Sequence, residues 1–217
     1  MLIAMVLCLV SAEKDLKEAY KDMSVQRTSV TFSTYSAGKS GHRANAHLFI
    51  SFEESLLIDT GATANDAKKI IEMIKGAGKK LRAVVLTSAQ ADQTAGLDAV
   101  HEAFPEAKFY STREVAAAIG KRSVKIEATK QVQLGKDNIA VLAVIFATDK
   151  PCAALHVASL SVLAGGCTWN GEFSVEGLDV QKTTSAIQTL QKVGATTLLP
   201  SYGNGGPSAP IFTAMQP

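Results

Sequence analysis

The polar stretch 87–93 is the part of this sequence whose residue types come closest to a reactive site. It follows the apolar run 81–86 and precedes a segment that we predict to be helical from Thr94 onward. A serine nucleophile needs a base within hydrogen-bond reach, and no base for Ser88 or Thr87 lies nearby in the sequence. The stretch therefore offers hydrogen-bonding groups, and these are Ser88, Gln90, Asp92 and Gln93.

Histidine and cysteine spacing gives no metal motif elsewhere in the chain. A catalytic zinc takes about three imidazole, thiolate or carboxylate ligands. A Cys167 nucleophile lacks a neighbouring base, as Ser88 does. A hard cation held by Asp59, Asp92 and amide oxygens stays an alternative, but two carboxylates would bind it only weakly. No pair has helical or loop ligand spacing among the four histidines, His42, His47, His101 and His156.

Both aspartates also have a structural interpretation, which we favour. Asp92 precedes the helix predicted from Thr94, so its carboxylate can cap free backbone N–H groups. Asp59 ends an apolar strand and has the same capping interpretation. In the helix that follows it, Asn65 is the expected N-cap residue.

Apolar periodicity supplies the elements that position these residues. Strands alternating with helices between residues 81 and 119 predict parallel pairing with helices outside the sheet. Two half-domains of this kind, packed sheet to sheet, predict an α/β fold. The predicted strands are 29–35, 45–52, 55–59, 81–86, 107–110, 138–146, 153–157, 160–164 and 196–199, and the predicted helices are 66–76, 94–104, 113–119 and 179–193.

Several of these segments resemble the metallo-β-lactamase superfamily. Stretch 87–93 has the spacing of its Thr-His-x-His-x-Asp-His signature, with Ser88, Gln90 and Gln93 where three histidine ligands would stand. The resemblance implies an αβ/βα four-layer sandwich of two mixed sheets with helices on the outer faces, and metals at the lip between the sheets. It runs from about residue 45 to 205 and is carried by the further segments 57–61, 95–97, 104–108, 164–166 and 200–203.

The later ligand loops of that family are also altered here. Thr148 and Tyr202 stand where the family has histidines, and Gly166 stands where it has a bridging aspartate. Asp92 alone keeps its residue type among the ligand positions. The resemblance therefore implies a protein without zinc or another cofactor, and without the hydrolysis that a metal-bound water performs.

Residues 1–12 carry an apolar run followed by Val-Ser-Ala, which predicts an export signal cleaved before Glu13. A single domain, 13–217, would then reach the periplasm or the medium. The alternative is a buried first strand or helix, because no Lys or Arg precedes the run. The run is too short to span a bilayer.

Two cysteines of the mature chain, Cys152 and Cys167, flank a predicted hairpin at positions that can face each other. In an oxidising compartment they can form a disulfide. Two free, buried thiols are the alternative, because disulfide geometry is exacting.

A formal net charge of +2 with scattered Lys and Arg residues argues against nucleic-acid binding. With 217 residues, of which 47% are hydrophobic, the chain fits one globular domain. No oligomeric state is predicted.

Three functions are compatible with these patterns. The first is a metal-free protein whose former active-site cleft binds a small molecule or a partner, with Trp169 and Tyr202 as stacking groups at its rim. The second is a hydrolase, such as a lactonase, with an atypical metal or a new catalytic pair. The third is a structural or interaction subunit. The predicted cleft residues are Asp59, Ser88, Gln90, Asp92, Gln93, Thr148, Gly166 and Tyr202.

Overall fold

Two mixed six-stranded sheets form the centre of the computed structural model. It describes residues 30–38, 42–120, 122–145, 150–169 and 179–215. The predicted export signal and Thr148 lie outside the described residues.

The first sheet follows chain order from β1 to β6. Its first three strands pair antiparallel, whereas β3 to β6 pair parallel, as the alternation of strands and helices predicts. Its strands are β1 (Thr31–Ser36), β2 (Asn45–Ile50), β3 (Glu54–Ile58), β4 (Lys80–Val85), β5 (Lys108–Ser111) and β6 (Ile126–Ala128).

The second sheet has the strand order β12-β11-β10-β9-β8-β7. Strands β7 to β10 pair antiparallel, β11 joins β10 in parallel, and β12 closes the edge antiparallel to β11. The sequence did not predict β6, β7 or β12. The strands are β7 (Gln131–Leu134), β8 (Asp137–Ile145), β9 (Pro151–Val157), β10 (Val162–Trp169), β11 (Thr197–Tyr202) and β12 (Gly206–Pro207).

Six α-helices flank the sheets within the described residues. Thr63, and not Asn65, is the N-cap of α1, since its hydroxyl accepts from the Asp66 N–H. None of these helices is long and apolar enough to cross a lipid bilayer. The helices are α1 (Ala64–Ala77), α2 (Ala91–Thr94), α3 (Leu97–Ala103), α4 (Arg113–Ile119), α5 (Val180–Gln191) and α6 (Ser208–Ala214), with a 3-10 turn at Ala158–Leu160.

The helix predicted from Thr94 is in fact two short helices, α2 and α3, that meet at Gly96. A Cβ atom at Gly96 would lie 2.1 Å from the Thr60 carbonyl oxygen and 2.8 Å from the Ala67 Cβ. Glycine is required because the chain here passes directly against the end of β3 and against α1.

Two buried apolar clusters hold the layers together. The larger one joins the facing sides of both sheets, through residues such as Leu48 and Leu155, to α1, α3 and α4. The second packs α5 and α6 on the outer side of the second sheet, with Ile187 against Leu163 and Leu198 among its members. The layers are therefore helix, sheet, sheet and helix, as predicted.

Candidate functional site

Stretch 87–93 leaves the end of β4 and is held in place by Asp59 at the end of β3. One Asp59 oxygen accepts from the Thr87 backbone N–H at 2.7 Å, and the other accepts from the Thr87 hydroxyl at 2.6 Å. Burial raises the pKa of Asp59 to about 7, the Thr87 hydrogen bonds oppose this rise, and the negative charge of Asp92 adds to it. Asp59 therefore has the structural role that we favoured, but the backbone N–H that it binds belongs to Thr87 in a loop and not to the beginning of a helix.

Ser88, Gln90 and Gln93 contact one another at the beginning of α2. The Ser88 hydroxyl donates to Gln93 Oε1 and accepts from the Gln90 backbone N–H at 3.0 Å. Gln93 is fully buried, and its backbone carbonyl oxygen accepts from both the N–H and the hydroxyl of Thr60. The Ser88 side chain therefore bonds to two residues of this stretch, whereas Gln90 takes part through its backbone.

Asp92 and Tyr202, 110 positions apart in sequence, meet directly. The Tyr202 hydroxyl donates to Asp92 Oδ2 at 2.8 Å. Burial raises the pKa of Tyr202, and the Asp92 carboxylate raises it further, so the phenol keeps the proton that it donates. Asp92 does not cap α2 or α3, which corrects the second capping prediction. We call Ser88, Gln90, Gln93, Asp92 and Tyr202 the polar centre.

Unpaired polar atoms are concentrated here. Among the described residues, four buried side-chain atoms have no hydrogen-bond partner, and three belong to the polar centre or to its chain neighbour Ser201. These three are Asp92 Oδ1, Gln93 Nε2 and Ser201 Oγ. An unsatisfied buried donor or acceptor costs about 1–3 kcal/mol, so the polar centre is an expensive arrangement.

The glycine pair on β10 is divided between two environments. A Cβ on Gly165 would lie 2.6 Å from Thr87 Cγ2, so Gly165 is the residue that packs against stretch 87–93. Gly166, which we predicted in the cleft, instead directs its Cβ position toward Ala154 and Leu190. Both glycines have positive φ, of 73° and 75°.

Cys152 on β9 and Cys167 on β10 form a disulfide, with their Cα atoms 6.0 Å apart. Both are buried in the second apolar cluster together with Trp169 and Tyr202. Trp169 and Tyr202 are each 6% exposed, so neither offers the stacking surface that we expected at the cleft rim.

Two residues that sequence reasoning missed, Asn45 and His47, join the sheets beside the polar centre. Asn45 Nδ2 donates to the carbonyls of Pro200 and Gly203 at 2.9 and 2.6 Å, and Asn45 Oδ1 accepts from Ser36. His47 Nε2 lies 3.0 Å from the Pro200 carbonyl, which makes it a donor. We call Asn45, His47, Pro200 and Gly203 the lip bridge.

A sequence signal for the lip bridge exists in β2. Asn45 and His47 are polar positions two apart in an otherwise apolar strand, so they share one face of the sheet. Burial lowers the pKa of His47 to about 4, and its bond to Pro200 only partly opposes the change. Histidine is therefore neutral and structural here at physiological pH.

Two surface cavities, of about 360 and 620 Å³, lie at the other end of the sandwich, where β3 and β4 begin. They share Glu54, Arg82 and Gln133. Neither is lined by a predicted cleft residue, and the members of the polar centre are largely buried.

Solved structures with the same arrangement of sheets and helices include metallo-β-lactamases. A metallo-β-lactamase from Pontibacter korlensis superimposes with a TM-score of 0.69 at 19% identity, over 87% of this chain and 94% of that one. The chain has the metallo-β-lactamase fold. The metallo-β-lactamase FIM-1 from Pseudomonas aeruginosa, crystallised in a mono-zinc form, gives 0.67 at 17% identity, over 86% and 89% of the two chains. No family model matches the chain, and no curated protein matches it.

Zinc does not fit the residues found at the position where this fold implies it. Asp92 supplies one carboxylate, and its neighbours supply hydroxyls and amides, which are poor zinc ligands. In the part of the chain that the structure describes, no three His, Cys, Asp or Glu side chains cluster as a metal site.

Proposed function

We propose that this chain is a metal-free, non-hydrolytic protein of the metallo-β-lactamase fold that binds a small polar molecule at its polar centre. The observation that supports the proposal is that three buried side-chain atoms in or next to the polar centre have no partner among the described residues, and these are Asp92 Oδ1, Gln93 Nε2 and Ser201 Oγ. Buried polar atoms in folded proteins are nearly always paired. A ligand that brings the missing donor and acceptors recovers that cost as affinity.

A second candidate is a hydrolase that uses Thr87 as nucleophile, because its hydroxyl donates to Asp59 and the pKa of Asp59 is raised to about 7. Such a pair has the composition of a nucleophile and a general base. However, Thr87 is fully buried, Asp59 is 1% exposed, and Gly165 packs on the threonine methyl group. A substrate cannot reach this hydroxyl, whereas Gln90 and Asp92 of the polar centre are partly exposed, so we favour binding over catalysis.

Metal analysis of the purified protein is the first test. We expect less than about 0.1 equivalent of zinc, iron or manganese, because a site with few strong donors holds zinc weakly. Adding zinc should leave the melting temperature unchanged, whereas stoichiometric zinc that stabilises the protein would overturn the proposal. An Asp92→Asn variant should bind as little metal as the parent chain.

Ligand binding is tested by following the Gln93 side-chain amide in nitrogen–proton correlation spectra. Primary amides and ureas carry both a donor for Asp92 and an acceptor for Gln93, so we use acetamide and urea at millimolar concentration as probes, with and without dithiothreitol. The Gln93 amide signals should shift saturably, and those of the exposed Gln131 should not. A Gln93→Met variant assigns the signals, and unshifted Gln93 signals throughout the series would argue against the binding site.

We also propose that the chain is exported through the apolar segment 1–12. Support comes from the Cys152–Cys167 bond, since such bonds persist mainly in oxidising compartments. Fusing the segment to a reporter and sequencing the mature N-terminus tests this. Retention of the reporter in the cytoplasm would contradict it.

A further inference from the structure

The Cys152–Cys167 disulfide lies beside a segment of β10 that leaves regular strand geometry. Gly165, Gly166 and Cys167 are consecutive residues with φ of 73°, 75° and 55°. Glycine adopts this left-handed conformation freely, whereas a residue with a side chain adopts it only when its surroundings impose it. Cys167 is therefore held by its bond and its packing in a conformation that it does not prefer.

This segment contacts the beginning of stretch 87–93 from both bonded strands. On β10, Gly165 packs against the Thr87 side chain. On β9, Ala153, which follows Cys152, donates its N–H to the Thr87 carbonyl at 2.7 Å. If β9 and β10 move relative to each other at the disulfide, Thr87 should therefore move with them. Thr87 directly precedes Ser88, the first residue of the polar centre.

A second connection runs through Tyr202. Between Gly165 and Trp169, β10 advances four residues while β11 advances two, from Pro200 to Tyr202. The extra residues form an irregular segment that contains Cys167, and regular pairing resumes at Trp169 and Tyr202. Because the Tyr202 hydroxyl holds Asp92, the position of this segment sets the contact that closes the polar centre.

We propose that the Cys152–Cys167 bond is a redox gate on the polar centre, which is closed when the cysteines are bonded and opens when they are reduced. The gate rests on the proposed function, because it regulates that binding site. Its opening is a change in the protein that can be measured without any ligand. Opening lets Cys167 leave the left-handed region. The irregular segment then shifts, and the Trp169–Tyr202 pairing and the hydrogen bond to Asp92 are released.

The chemical step is thiol–disulfide exchange with an external dithiol. A thiolate of the dithiol attacks Cys167, which is 8% exposed, whereas Cys152 is 1% exposed. The sulfur–sulfur bond breaks, Cys152 leaves as a thiolate and takes up a proton, and the second thiol of the reagent displaces Cys167 from the mixed disulfide. Two electrons and two protons pass to the protein, and the dithiol becomes its own disulfide.

Hydrogen exchange read by mass spectrometry tests the gate on the full chain without ligand. All proteins carry Cys8→Ala, so that no third thiol can exchange with the pair. On reduction with dithiothreitol we expect amide exchange to rise at least tenfold in peptides covering 165–169, 88–93 and 199–203. Exchange in α1 should stay unchanged and serves as the internal reference. The Cys152→Ala/Cys167→Ala variant should match the reduced protein with and without dithiothreitol.

Three results would overturn the gate. Exchange that rises across the whole chain, α1 included, would show that the disulfide stabilises the whole fold and does not act locally on the polar centre. Exchange that rises only at 165–169 would show that the segment is not coupled to the polar centre. A bond that dithiothreitol reduces no faster than the protein unfolds would show that it is inaccessible in the native state. Failure of the amide probes to shift the Gln93 signals of the dithiothreitol-reduced protein, together with a normal exchange response, would refute the binding function and leave the gate standing.

Discussion

The lip bridge and the polar centre both cross between the two sheets at the same lip of the sandwich, yet they treat buried polar groups in opposite ways. In the lip bridge, both polar ends of the Asn45 amide have partners, and both His47 nitrogens lie within 3.0 Å of one. In the polar centre, Asp92, Gln93 and the adjacent Ser201 each leave one atom unpaired. The difference separates a region whose buried polar groups are paired within the fold from one that carries a cost without a structural return.

The largest effect should come from breaking the lip bridge with Asn45→Ala. This change removes the Asn45 amide, which takes one donor from the buried Pro200 carbonyl and one from the partly buried Gly203 carbonyl. We expect a loss of about 3 kcal/mol in the free energy of unfolding, since each orphaned buried group costs about 1–3 kcal/mol. Urea denaturation measures the loss.

The matched control is Asn138→Ala, at an exposed strand position whose side chain bonds to no residue in the part of the chain that the structure describes. Surface changes of this kind stay within about 0.5 kcal/mol. If the two variants lost equal stability, the Asn45 hydrogen bonds would not stabilise the fold, and the lip bridge would lose its structural role.

A pH series separates His47 of the lip bridge from Asp59, which holds the loop that leads into the polar centre, by the sign of the slope of stability against pH. His47, with a folded pKa of about 4 against 6.5 when unfolded, binds fewer protons in the folded state between those values, so its contribution to stability falls as pH drops. Asp59, with a folded pKa of about 7 against 3.8, binds more protons when folded, so its contribution falls as pH rises. In the parent chain the two slopes oppose each other between pH 4 and 6.5.

Single variants should reveal each slope. Asp59→Asn leaves the His47 effect, so stability should drop by up to about 1.4 kcal/mol per pH unit from pH 6.5 to 4.5, relative to the parent chain. His47→Gln should tilt the profile the other way, with stability lost as pH rises toward 7. Urea denaturation at four pH values measures the slopes, and other titrating groups cancel because all three proteins share them. Parallel profiles would contradict both assignments.

Much of the fold followed from the sequence because period and composition act locally. The apolar runs of β3 and β4 and the period of α1 located buried strands and a packing face. The break at Gly96 did not follow, since its cause is the Thr60 carbonyl, thirty-six positions earlier in the chain. Short elements such as β6 and β7 also carry too few residues to show a period.

The site was predicted in composition but not in contacts. The resemblance identified the positions of Ser88, Gln93 and Tyr202, yet side-chain direction decides what each one bonds, and direction depends on distant residues. Both aspartates were expected to cap local N–H groups. Instead, Asp59 holds Thr87 from a neighbouring strand, and Asp92 accepts from Tyr202 on the other sheet.

Tyr202→Phe tests the hydrogen bond by which Tyr202, on the second sheet, holds Asp92 of the polar centre. It removes the hydroxyl that donates to Asp92 and keeps the ring in the second cluster. We expect a loss of about 1.5 kcal/mol, the size of a hydrogen bond to a charged group, as measured by urea denaturation. Tyr110→Phe, at a partly exposed tyrosine whose hydroxyl bonds to none of the described residues, should stay within about 0.5 kcal/mol. If the two variants lost equal stability, the Tyr202 hydroxyl would not close the polar centre by holding Asp92.

The smallest expected change in stability comes from Ser201→Ala. It tests most directly the difference between the polar centre and a region whose buried groups are paired, because the Ser201 hydroxyl has no partner among the described residues. Ser201 is 1% exposed and its Oγ is unpaired, whereas Ser111 is fully buried and its Oγ donates to the Leu86 carbonyl at 2.6 Å. Ser111→Ala should cost about 1–2 kcal/mol, and Ser201→Ala should be neutral or stabilising by up to about 1 kcal/mol, because it deletes a buried hydroxyl that makes no bond. Thermal denaturation of the two variants at one pH measures the difference. If Ser201→Ala cost as much as Ser111→Ala, its hydroxyl would be paired in solution, and the polar centre would lose one of the three atoms that mark it as a binding site.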